Sequence, residues 1–402
     1  LTGAAKAFSP MVRFSRTVRG SRKMSRFLGL MVALALVATQ LSGCASFPRK
    51  DFTAAEAERT ALRGSDIRFN ADDAEAALAF TERTRAQLQQ NRAEQFDILA
   101  ISGGGADGAY GAGVMVGWTN TGARPNFAVV TGVSTGALIA PFAFLGPSRD
   151  GELTAAYAAG KASDILQRRG LGVIFSSSLF SPNRLRQLVN AYVTPAMLRD
   201  IAAEHAKGRR LLIVTTNLDT QQTVIWDMGA IAARNTPAAL DLFRDVLVAS
   251  SSIPGVFPPV MIPIDETGVS SIQEMHVDGA VTAPFVSIPE GMFFWTAPDG
   301  RKLKGRVHVI VNGQIEPAFA VTRGRLSSIL ARTFDSMMKS TARTHIAASR
   351  AFADRNDLDF EITMVPSGVE SGSLNFDPVN MKRLFTLGRD NVIKGVAWQK
   401  LD

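Results

Sequence analysis

Cysteine is nearly absent from this chain: Cys44 is the only one in 402 residues, which excludes a disulfide framework and a cysteine-built zinc site. Four histidines leave too few ligands for a histidine-rich metal centre. The body of the protein also lacks an excess of one charge. The net charge of +8 arises mostly at the start, where residues 1–44 hold seven basic groups and no acidic one, leaving 37 basic against 36 acidic groups in the rest. A nucleic-acid-binding domain needs clustered basic residues, and no such cluster is seen, so no nucleic-acid partner is expected. Glycine (34) and proline (18) are near average usage, which excludes collagen-like and low-complexity chains. With 46% hydrophobic and 20% charged residues, the chain can bury a sizeable core. Its length suits two domains or one large α/β domain.

The apolar run at residues 27–43, FLGLMVALALVATQLSG, falls short of the about 20 residues that a membrane-spanning helix needs. It follows a basic stretch and ends in small residues, the layout of a secretory signal peptide. Met24 would open a compact leader. Leu41-Ser42-Gly43-Cys44 resembles the lipobox of bacterial lipoproteins. That resemblance implies lipidation of Cys44, a membrane anchor, and residence in a bacterial cell envelope. Ala45 in place of an aspartate after the cysteine points to the outer membrane. The expected organisation is a signal peptide over 1–44, a tether with an N-terminal helix over 45–95, and a catalytic domain over 96–402.

Beyond the leader, residues 72–91 carry apolar side chains at helical spacing and predict a surface helix. β-rich runs predict strands at Phe96–Ser102, Phe127–Val133, Leu211–Thr216, Thr223–Trp226, Arg306–Val311 and Phe360–Val365. Helical patterns lie between and after them, at Thr135–Leu145, Leu153–Gln167, Asn183–Val193, Leu240–Ala249, Leu326–Ala348 and Met381–Val396. This alternation predicts an α/β fold with a mainly parallel central sheet.

Three motifs carry chemistry. Gly132-Val133-Ser134-Thr135-Gly136 is a G-x-S-x-G sequence between a predicted strand and a predicted helix, the context of a nucleophile elbow. Gly132 and Gly136 leave room for a sharp turn, and Ser134 would project beside a helix N-terminus that favours negative charge. Gly103-Gly104-Gly105 can turn backbone N–H groups inward as an anion-binding nest, suited to an oxyanion hole. Gly103-x-Gly105-x-x-Gly108 also fits the dinucleotide fingerprint literally. That fingerprint expects an acidic residue about 20 positions on, and none lies between Ala109 and Arg149. His276-Val277-Asp278-Gly279-Ala280 follows a β-rich run. On its own it is a turn, but a serine nucleophile needs a base, and a desolvated carboxylate can serve.

In this order the three motifs resemble the patatin-like phospholipase family, whose members have a glycine-rich loop, a G-x-S-x-G elbow and a D-G-[GA] motif. The segment Ala249–Pro259, ASSSIPGVFPP, is similar to a further stretch of that family, as is Thr216–Thr220. The resemblance spans roughly Phe96 to Pro284. It implies a three-layer α/β/α sandwich and hydrolysis of lipid acyl esters by a Ser–Asp dyad without a cofactor or metal. Ser134 would be the nucleophile and Asp278 the base. The N–H groups of Gly103, Gly104, Gly105 and Thr135 would form the oxyanion hole.

One position departs from the family. Asp107 stands where a basic residue is usual, and it is expected to face solvent. Three other readings remain open: a carboxylesterase, thioesterase or acyltransferase of the same fold; a non-catalytic envelope lipoprotein; and an ordinary α/β-hydrolase with His308 or His345 as base. The apolar segments Leu171–Phe175 and Met292–Trp295, if not ordinary core, would line an acyl channel or touch a bilayer.

Overall fold

A computed structural model describes residues 49–63, 66–90, 96–159, 182–263, 272–293 and 305–400. Cys44 and the leader, Leu171–Phe175, Phe294 and Trp295 lie outside the described residues. Nine strands are described: β1 (Arg68–Asn70), β2 (Phe96–Ile101), β3 (Val129–Val133), β4 (Arg210–Asn217), β5 (Gln222–Asp227), β6 (Val260–Pro263), β7 (Gln273–Asp278), β8 (Gly305–Val311) and β9 (Asp359–Met364). The described helices are α1 (Ala54–Arg63), α2 (Ala74–Gln90), α3 (Gly108–Asn120), α4 (Thr135–Leu145), α5 (Asp150–Tyr157), α6 (Pro182–Tyr192), α7 (Pro195–Ala206), α8 (Met228–Ala233), α9 (Pro237–Ser250), α10 (Leu326–Arg355) and α11 (Pro378–Ile393).

The strands form one sheet in the order β1-β5-β4-β3-β2-β8-β9, with β7 also paired to β4 and β6 paired to β7. The five strands β4, β3, β2, β8 and β9 run parallel to their neighbours, as the strand–helix alternation predicts. The rest of the sheet is antiparallel, so the sheet is mixed. The reason is loop length. Only residues 218–221 separate β4 from β5, far too few for the crossover of a dozen or more residues that a parallel return requires.

Alternate residues of the parallel strands supply apolar clusters on the two faces of the sheet. Leu99, Ile101, Val130, Leu211, Ile213 and Ile310 face one apolar cluster with α3, α4 and the helices from α5 to α9, joined by α11. Ala100, Val307, Val309 and Val311 face the other, beneath α2 and α10. The result is a three-layer α/β/α sandwich. Burial on both faces explains why β4 is buried along its whole length and carries four consecutive apolar residues, Leu211–Val214. All these strands and clusters fall between Arg49 and Asp402, a unit distinct by its internal contacts from Leu1–Pro48. A chain starting at Arg49 therefore holds the whole core it needs to fold. No helix among the described residues is long and apolar enough to cross a membrane.

The segment upstream of β2 is joined to the sheet by charge. Arg68 of β1 forms a buried ion pair with Glu274 of β7, its second guanidinium nitrogen lying 3.2 Å from Oε1. The Arg68 guanidinium also stacks 5.1 Å from the Trp226 ring centroid. His276 Nε2 lies 3.2 Å from the same Glu274. Its Nδ1 is 2.9 Å from the Thr215 hydroxyl, which accepts the Trp226 indole N–H at 2.8 Å. Burial alone would raise the Glu274 carboxyl, but the hydrogen bond to His276 and the Arg68 charge hold it down at about 2. Burial keeps His276 below its ordinary value. Removing one partner of such a pair leaves an unpaired buried charge, at a cost of about 3–5 kcal/mol. Arg68→Ala should therefore lower the stability of the domain by about 3 kcal/mol or more, measured by denaturant unfolding near pH 7, where Glu274 is fully ionised.

Candidate active site

The five parallel strands all end at one edge of the sheet, and the site is built there. β3 runs into Ser134, which has φ 55° and ψ −124°. A left-handed φ is unusual for a residue other than glycine and stores strain. The chain folds this way because the turn from strand to helix is sharp. A Cβ on Gly136 would meet the Ile101 carbonyl oxygen at 2.2 Å, and one on Gly132 would meet that of Gly136 at 2.5 Å. The strained peptide is held on both sides by α9 and the residue that follows it. Ser250 Oγ accepts the Ser134 N–H at 3.0 Å, and Ser251 Oγ donates to the Ser134 carbonyl at 3.0 Å.

Asp278 ends β7 and pairs with Thr215 of β4. Its N–H is donated to the Ser252 carbonyl at 3.0 Å. One carboxylate oxygen, Oδ1, accepts the Ala280 N–H at 2.9 Å; the other, Oδ2, accepts the Ser134 hydroxyl at 2.6 Å. The side chain is wholly buried. Desolvation pushes its pKa up to about 7, although the hydroxyl and the N–H both favour the charged form.

Among the described residues no histidine is bonded to Ser134 or Asp278. His308 sits on β8 beside Leu99, between Asp97 at 3.5 Å and Glu361 at 3.4 Å. His345 lies 3.8 Å from Glu290, among the rings of Phe285 and Phe293. His276 turns to Glu274 and Thr215.

The glycine loop lies next to the serine. A Cβ on Gly103 would stand 3.2 Å from that of Ser134 and 3.7 Å from the methyl of Met338 on α10. The Gly103 N–H is already donated to the Pro284 carbonyl at 3.0 Å. Those of Gly104 and Gly105 have no hydrogen-bond partner among the described residues. Thr135 opens α4 and has no intrahelical acceptor for its N–H. Three free donors, from Gly104, Gly105 and Thr135, thus remain near the nucleophile. Gly104 and Gly105 have φ of 157° and 56°, and a Cβ on either would stand 1.9 Å from a carbonyl oxygen, of Asn312 and Ser373 respectively.

The position of Asp107 differs from the expectation. It is 4% exposed and turns inward, its carboxylate accepting the Gly372 N–H at 2.9 Å. Its neighbour Ala106 donates to the Ser373 carbonyl at 2.9 Å. Burial raises the Asp107 pKa to about 6 despite the Gly372 bond. This aspartate therefore braces the glycine loop against the loop after β9.

Asn312, which follows β8, is a second brace. Its amide donates to the Ser102 carbonyl at 2.8 Å, and its amide oxygen accepts the Gly111 N–H at 3.0 Å. Sequence reading singled out Asp107 but not its bracing role, and it missed Asn312 and the parts of Ser250 and Ser251, of which only the serine-rich segment carried a signal. Ser252 also lines a cavity of about 180 Å³ shared with Arg186, Val248, Phe257 and Val260. Among the described residues no group of three or more His, Cys, Asp or Glu side chains could hold a metal ion.

The burial of Asp278 predicts a pH-dependent stability. Its folded pKa lies above the ordinary 3.8, so the native state binds the proton more tightly. The contribution is fully present below pH 4 and is lost as pH rises through about 7. Asp278→Asn does not titrate. Relative to wild type it should gain stability between pH 4 and pH 8, by up to about 4 kcal/mol, read from denaturant unfolding at the two pH values.

The patatin-like phospholipase family model matches residues 99–287. No curated protein matches in sequence. Among solved structures, VipD from Legionella pneumophila is 13% identical with a TM-score of 0.33, over 77% of this chain and 68% of that one. The type III effector protein ExoU is 15% identical with a TM-score of 0.28, over 75% of this chain and 53% of that one. The chain thus spans about half the length of ExoU. The matched stretch contains the glycine loop, the serine elbow and Asp278, and over residues 99–287 the chain is similar to patatin-like phospholipases.

Proposed function

We propose that this chain is a serine acyl-ester hydrolase that uses a Ser134–Asp278 dyad on phospholipids or other lipid esters at a membrane. The observation that carries this reading is the 2.6 Å hydrogen bond from the Ser134 hydroxyl to a carboxylate wholly removed from water. Asp278 takes the Ser134 proton as Oγ bonds to the ester carbonyl carbon. The oxyanion accepts hydrogen bonds from the free N–H groups of Gly104, Gly105 and Thr135. Collapse of the tetrahedral species breaks the ester bond, and Asp278 returns the proton to the leaving alcohol. A water molecule then gives a proton to Asp278, attacks the acyl-serine and releases the fatty acid, with the proton passing back to Ser134. The chemistry requires no cofactor.

Phospholipid is the favoured substrate because the matching family is described as phospholipases. Cys44 is proposed to be lipidated and to hold the enzyme at a bacterial outer membrane, on the support of the leader layout alone. Incorporation of labelled palmitate that disappears in Cys44→Ser tests this; equal labelling of the variant rejects it.

The hydrolase reading is tested with the chain from Arg49 onward, a short-chain chromogenic ester and a fluorogenic phospholipid in mixed micelles. Both substrates should turn over, and Ser134→Ala and Asp278→Asn should each lose at least about a thousandfold in rate. Turnover of the short ester alone favours a carboxylesterase. Full activity in Asp278→Asn excludes the dyad.

A further inference from the structure

Five of the eight exposed large apolar side chains among the described residues lie at one edge of the sheet. Leu218 is in the turn after β4, Phe319 and Val321 are in the loop after β8, Ile329 is in the first turn of α10, and Val379 is in the first turn of α11, just past the loop after β9. By topology all five sit where the parallel strands end, the edge that holds Ser134. Phe319 is 96% exposed and Val321 85%. Single exposed apolar residues are ordinary, but several on the rim of one site mark a contact surface.

The loop after β8 is held in position. The Arg332 guanidinium donates to the Ala318 carbonyl, and Arg343 donates to that of Ile315 at 2.8 Å. These bonds fix the first half of the loop to α10, and Phe319 and Val321 follow it, exposed to solvent. From Pro317 to Phe334 the chain has no carboxylate, but it carries Arg323, Arg325 and Arg332. Glu316 precedes this stretch, and Asp335, which follows it, is paired with Arg332 and Lys339. The loop after β8 and the start of α10 therefore present apolar tips beside arginines.

We propose that this edge of the sheet is a docking face for an anionic lipid bilayer. The choice of lipid as occupant rests on the hydrolase reading, because ester substrates must reach Ser134 from this side. Two features favour a bilayer over a protein partner. The apolar residues are separate tips spread from β4 to β8, three strand spacings or about 14 Å apart, rather than one flat patch. Separate tips suit insertion into a fluid interface, and the arginines suit anionic head groups. The same helix, α10, carries Met338 against the glycine loop, so the docking face and the cover of the nucleophile belong to one element.

The test is flotation of the chain from Arg49 onward with phosphatidylcholine vesicles, with and without phosphatidylglycerol. Phe319→Asp with Val321→Asp should lower the bound fraction about tenfold or more. Arg323→Glu with Arg325→Glu should lose only the gain that phosphatidylglycerol provides. Ile393→Asp with Val396→Asp, on exposed residues at the far end of α11, should bind as wild type. All three variants should hydrolyse a soluble short-chain ester at the wild-type rate.

Unchanged binding in the Phe319/Val321 variant, or equal loss in the Ile393/Val396 variant, overturns the proposal. So does a wild-type chain that self-associates through Phe319 and Val321 and ignores vesicles. Edge-dependent binding by a chain that hydrolyses neither ester nor phospholipid upholds the docking face and rejects the hydrolase reading.

Discussion

A carboxylate shut away from water and bonded to a single hydroxyl is the constraint on which the rest of the structure depends. Asp278 accepts the Ser134 hydroxyl at 2.6 Å and one backbone N–H, and nothing else described bonds to its side chain. In water the carboxylate would be a poor base for a serine. Burial raises its proton affinity to about the pH at which the enzyme would work. The same burial makes the ionised state costly to hold, so the fold must fix both partners firmly. It does so with a strained serine just after β3 and with an aspartate at the end of β7, two strands that pair with successive stretches of the same strand, β4.

Much of that fixing comes from outside the stretch that matches the family. Arg68, in β1, holds Glu274 four residues before Asp278, and Arg49 reaches Asp219 at 2.7 Å. Asp219 in turn accepts the Met275 N–H at 2.9 Å. On the other side Asn312 and the Gly372–Ser373 loop fix the glycine run. The upstream segment anchors the strand of Asp278, and the last third of the chain anchors the loop beside Ser134. Asp107 supplies a buried acceptor that locks this loop.

What could be read in the sequence was local. Gly132 to Gly136 announce a turn because the serine and both glycines fall within five consecutive residues, and the parallel strands stand out as apolar runs because both their faces are buried. Helix α3 was not legible. It is rich in glycine and alanine and buried along nearly all its length, so it has no amphipathic period to detect. Its glycines allow α11 to lie against it: a Cβ on Gly113 would meet the Phe385 carbonyl oxygen at 2.0 Å. The inward turn of Asp107 was also illegible, because its partner Gly372 is 265 positions away. The hold of Ser250 on Ser134 spans 116 positions. Such long-range contacts leave no periodic trace in a single sequence, and an acidic residue at the mouth of a glycine loop reads as solvated until its partner is placed.

Asp278, tuned by burial, is proposed to activate Ser134 without a histidine. The most direct test is the rate at which a fluorophosphonate probe labels Ser134, followed from pH 5 to pH 9, with Ser134→Ala as the blank. The account predicts a rate that rises with pH to a plateau, with a midpoint near 7, and near-complete loss of labelling in Asp278→Asn. Labelling that survives in Asp278→Asn with an unchanged pH profile would contradict it.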